Sequence, residues 1–163
     1  MAPLLALLLL ANPTVGPNAP KEGPKPSELA KIYFIAGDLV RARTALEGGR
    51  KSDPKAEPML KELADYQFLV SKGAALTAAE AKQLIAIDRA FSPQATGKMT
   101  RPVHDRFVAM PLLKAQARLD ANLPNDALPL AQAAHDADPF DADAISMLSK
   151  LGVDAGSPSD AGR

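Results

Sequence analysis

Proline punctuates this chain at intervals that set the length of its helices. Three prolines each stand twelve residues after an alanine: Pro54 after Ala42, Pro93 after Ala81 and Pro139 after Ala127. One helical turn past each alanine lies an apolar residue, Leu46, Ile85 or Ala131, and a capping or turn-forming residue precedes each proline, Asp53, Ser92 or Asp138. Proline has no amide hydrogen, and its ring collides with the carbonyl one turn back, so a regular helix stops before it. An amphipathic helix of about twelve residues closed by proline produces this pattern.

A second helical stretch lies upstream of each of these units. SELAKIYFIAGD places Leu29, Ala30, Tyr33 and Phe34 at helical spacing, and Gly37-Asp38 ends one helix and caps the next. AEPMLKELADYQFLVSKG repeats the spacing through Met59, Leu60, Leu63, Ala64 and Phe68, and Thr77 with Glu80 forms a capping box for the helix that follows. PLLKAQARLDAN is closed by Asn122-Leu123-Pro124. Pro129 falls inside the helix expected next, which is accommodated if that helix starts at about residue 126. After Pro139, ADAISMLSKL reads as a terminal capping helix with Asp141 or Asp143 as its N-cap. Residues 94–110 form an insertion, loop-like to residue 101, then one or two helical turns with Phe107 and Met110 toward the core.

Composition agrees with an all-α chain. The apolar fraction of 47% is mostly Ala and Leu, which favour helix over sheet. Absence of Cys removes thiol chemistry, disulfides and Cys-ligated zinc. Nineteen acids against nineteen bases leave no basic surplus for nucleic acid or a polybasic membrane anchor.

Residues 26–54 resemble a tetratricopeptide repeat. The residues that carry the likeness are Ala30, Tyr33, Gly37-Asp38, Ala42, Leu46, Gly49 and Pro54, in the register of that family. Small residues at Ala30, Ala42 and Gly49 allow close helix approach while Tyr33 and Leu46 fill the space between. The later copies diverge: the second adds about five residues around positions 72–76 and has Gln67 for the aromatic, and the third has Arg118 for the aromatic and Asn122 for the glycine. The resemblance implies a short α-solenoid of three helical hairpins plus a C-terminal capping helix, spanning residues 26–152. Residues 153–163 read as a solvated tail.

Residues 1–25 carry a short apolar run, 4–11, and a proline-rich linker. The run is like the core of a secretory signal and too short to span a bilayer, though no base precedes it and no A-x-A site follows. Read as a signal, it makes the protein periplasmic or secreted; read as a docked apolar segment, it leaves the protein cytoplasmic.

Catalytic motifs are sparse. His104 and His135 each precede Asp, as in helical metal phosphohydrolases, but the further His and distant Asp of that pattern are missing, so structural roles are expected. Asp136, Asp138, Asp141 and Asp143 approach the spacing of a calcium loop, yet Pro139-Phe140 interrupts them and no Gly or closing Glu completes the set. Gly48-Gly49-Arg50-Lys51-Ser52 follows a helix, whereas a phosphate loop would open one. No metal or cofactor is expected, and no enzyme.

In tetratricopeptide repeats the first helix of each hairpin lines a groove that holds a peptide. By position, the resemblance assigns to this groove Ser27, Lys31, Phe34 and Ile35, then Lys61, Asp65, Phe68 and Leu69, then Leu112, Gln116 and Leu119. The implied function is a non-catalytic adaptor or scaffold for a protein or peptide partner, in a bacterial envelope assembly or secretion machine if exported. The alternative is a structural subunit whose apolar face is buried in a homo- or hetero-oligomer, and a remote one is a metal-dependent hydrolase.

Overall fold

The computed structural model describes residues 23–93 and 100–154, and every regular element among them is helical. The leader, most of the linker, residues 94–99 of the insertion and most of the expected tail, 155–163, lie outside the described residues; Arg101, expected in the loop, already begins a helix.

The first hairpin forms where the sequence places its stops. Helix α1 (Pro26–Ile35) opens on a proline at its first position, and Glu28 accepts the Lys25 amide at 3.2 Å. Gly37 takes the left-handed conformation, φ 81°, that turns the chain. Asp38 then caps α2 (Leu39–Gly49) by accepting the Arg41 amide at 3.0 Å. The two helices close tightly at Gly49, where a Cβ would fall 2.3 Å from Cβ of Pro26.

The second hairpin pairs α3 (Ala56–Ser71) with α4 (Ala78–Phe91), joined by a short 3₁₀ turn at Gly73–Ala75. The capping box is present: Thr77 accepts the Glu80 amide while Glu80 accepts the Thr77 amide at 3.0 Å. Lys72 also donates to Glu80, and these donors, the ammonium first and Thr77 next, pull the Glu80 carboxyl down to about 2.

The third hairpin departs from the expected outline in three ways. Residues 101–120 form one continuous helical run: α5 (Arg101–His104), a wide π-turn (Asp105–Ala109) and α6 (Met110–Asp120). The wide turn lies beside Pro111, which can give no amide to the Phe107 carbonyl; Met110 donates instead to the carbonyl of Asp105, five residues back. Phe107 is half-buried as expected, but Met110 is 48% exposed and does not face the core. Helix α7 (Pro124–Ala137) starts two residues earlier than expected, because Asn122 turns left-handed at φ 59° and Pro124 takes the first helical position. Pro129 therefore sits inside the helix, where its lost bond falls on the exposed Asn125 and water can replace it. Helix α8 (Ala142–Lys150) is capped by Asp141, which accepts the Ala144 amide at 2.9 Å.

Packing divides the described residues into two cores that meet at α4. In the first, Phe34 lies between the edge of Tyr66 at 4.8 Å and the stacked face of Phe91 at 4.6 Å, with Leu46, Leu63 and Leu84 around them. Burial raises the Tyr66 hydroxyl above its usual range, and the Thr100 hydroxyl, 3.1 Å away, satisfies it. The second core gathers Ile85 of α4, Val108, Leu112, Met147 and Leu148 around a run of alanines, among them Ala115, Ala127, Ala131 and Ala134.

Candidate functional site

The expected groove residues do not all reach the surface. Phe34, Leu69 and Leu112 are buried in the two cores and cannot contact a partner. Phe34 is held there by its register: one turn after the fully buried Ala30, it lies on the face that α1 turns inward. Leu69 shares a face of α3 with Tyr66, and Leu112 a face of α6 with Ala115. Ser27 is buried as well, its amide donating to Asp53 at 2.9 Å.

The remaining positions are at least partly open to solvent. Ile35, Lys61 and Phe68 are exposed, Phe68 to 61%, with the Lys72 ammonium 5.0 Å from its ring. Lys31, Asp65, Gln116 and Leu119 are half-buried, and Gln116 donates to Asp120 at 2.7 Å. Ile32, outside the set assigned by position, is 58% exposed on α1. A cleft of about 820 Å³ opens where the start of α1 faces the start of α3, lined by Glu28 and Lys31 on one side and Pro58, Met59 and Glu62 on the other.

A second constellation is invisible in the sequence. Its centre is Asp138, the residue before the last repeat proline and only 1% exposed. One of its oxygens accepts the Phe140 amide at 3.1 Å, and the other binds the Arg89 guanidinium from α4. His104 enters from α5, with Nε2 3.2 Å from Asp141 Oδ2 and 3.8 Å from Asp138 Oδ2. In sequence, His104 and Asp138 each have a local explanation, one as an isolated His-Asp pair and one as a repeat turn. Their meeting joins residues that no periodicity connects. Asp53, at the equivalent turn of the first hairpin, is hydrogen-bonded by neutral donors instead, with the Lys25 charge a lesser contributor. The Ser27 hydroxyl and amide, followed by the Lys55 amide, hold its carboxyl below the usual range.

Among the described residues, no helix is long and apolar enough to cross a membrane. No family model matches the chain, and neither the curated proteins nor the solved structures compared with it give a match.

Proposed function

We propose that this chain is a non-catalytic protein-interaction module, a tetratricopeptide-like adaptor or scaffold that holds an extended segment of a protein partner between the first helices of successive hairpins. The observation that carries this reading is the open cleft between α1 and α3, with Lys31 on its wall. In a groove of this kind the apolar Met59 and Pro58 contact side chains of the partner, while Lys31, Glu28 and Glu62 bind its polar groups. The exposed Ile35, one turn after Lys31, extends the apolar contact along α1. On this reading the three hairpins and α8 are a degenerate short solenoid. Export through the leader would place it in an envelope assembly, by analogy of fold alone.

Photo-crosslinkers at positions 31 and 62 test it. Both should trap the same discrete partner, and Lys31→Glu with Ile35→Asp should abolish capture while the helical circular dichroism persists. Val40→Ser, on the exposed surface of α2, should leave capture intact. Undiminished capture by the double variant removes the groove reading.

One observation favours a second reading. Met110 and Leu113 are both strongly exposed one turn apart on α6, Leu113 to 65%. A structural subunit would bury that face against another chain, and light scattering on the purified protein separates the two: a strict monomer at high concentration rules out self-association through α6.

A further inference from the structure

The cluster around Asp138 has the composition and spacing of a divalent-metal site. His104 Nε2, one oxygen of Asp138 and one of Asp141 all lie within 4.8 Å of one another. Metal–nitrogen and metal–oxygen bonds of roughly 2.0–2.2 Å set neighbouring ligand atoms about 3.0–3.5 Å apart. The 3.2 Å and 3.8 Å separations from His104 therefore need only small adjustments to close on one ion. The three ligands come from separate elements: the end of α5, the turn after α7 and the N-cap of α8.

We propose that His104, Asp138 and Asp141 bind a divalent transition ion, with zinc as the best match, which fastens α5 to the α7–α8 turn. Imidazole nitrogen favours zinc over calcium or magnesium, whose ligand sets are all oxygen. Two carboxylates balance the charge of a dication. Backbone amides already orient each carboxylate for coordination. Asp138 Oδ1 accepts the Phe140 amide and Asp141 Oδ1 the Ala144 amide, which directs both Oδ2 atoms toward His104. Water or a partner's side chain completes the coordination.

Arg89 is the competitor. Its guanidinium binds Asp138 Oδ2, the oxygen the ion needs, so ion and arginine exclude each other there. Arg89 has somewhere to go: its side chain is 37% exposed and its guanidinium lies 5.4 Å from the ring of Phe140. The site is therefore an exchange between an internal cation and an external one, and removing the internal cation should favour the external one.

Calorimetric titration of the full chain with zinc chloride, after chelator treatment, tests this. One equivalent should bind. His104→Gln should weaken the affinity at least tenfold, as should Asp141→Asn, which keeps a good helix cap and so preserves α8. Arg89→Gln should tighten binding severalfold, a gain that a purely internal ion-pair cluster does not produce. His135→Gln should change nothing. Absence of saturable binding by the native chain overturns the proposal, as does equal affinity in Asp141→Asn or weaker binding in Arg89→Gln.

Discussion

The two cores of this protein are filled by different means. The first fills the space between α1, α2, α3 and α4 with large side chains, Phe34, Tyr66, Phe91 and leucines. The second brings α7 close to its neighbours through alanines and, among the described residues, has no aromatic side chain among its buried members. The polar groups at the edges differ in the same sense. Asp53 closes the first hairpin chiefly with neutral amides and a hydroxyl, whereas Asp138 closes the third with the Arg89 guanidinium of α4 and the His104 imidazole of α5 beside it. Small side chains remove less apolar surface from water, and a charged cluster supplies cohesion that the alanine core lacks. What stabilises the first half is volume; the second depends more on close approach and on charge.

If that contrast is correct, the halves fail under opposite substitutions. The largest loss is expected from Phe34→Ala, which empties the aromatic stack and should cost about 3–5 kcal/mol in urea unfolding. Asp138→Ala should follow, at about 2–4 kcal/mol, because it leaves a half-buried turn amide unpaired and the Arg89 guanidinium without its anion. Asp53→Ala should move the midpoint less, and a loss equal to that of Asp138→Ala would mean that the charged partners add nothing. Ala131→Leu sharpens the distinction from the other side. Ala131 is fully buried where α7 packs, so extra methylenes should cost about 1–3 kcal/mol through separation of the helices. A neutral result would show spare volume in the second core and dissolve the comparison.

The sequence is most legible where structure is local. Gly37 with Asp38, the Thr77–Glu80 box and the Asp141 cap each act within a few residues, so residue types alone locate them. Gly49 is also legible as a point of close approach. The site is harder. The tetratricopeptide resemblance puts Phe34 on a surface, although its spacing from Ala30 already places it on the inward face. The π-turn has one signal, Pro111 within a helical pattern. Arg89 and Asp138 have none, for they are 49 residues apart and meet only because the second core folds onto α4.

The smallest predicted effect lies at the junction of α3 and α4, and it follows the proton. The Glu80 carboxyl titrates at about 2 in the folded chain, below the ordinary glutamate value of 4.5, chiefly through Lys72 and then through Thr77. A depressed carboxyl favours the folded state when ionised, so this contribution is complete above about pH 4.5 and is lost as pH falls toward 2. Asp53 is lowered as well and adds to the same acid-side slope. Urea midpoints for the native chain should therefore decline between pH 5 and pH 3, and Glu80→Gln should flatten part of that decline while lowering the midpoint at pH 7. Because the Glu80 side chain is 25% exposed and its ammonium partner 31%, added salt should reduce the difference between the two proteins. An unchanged slope in Glu80→Gln would assign the acid sensitivity to Asp53, whose carboxyl is also lowered. Repeating the series in Asp53→Asn would then test that assignment, since this variant should lose part of the decline.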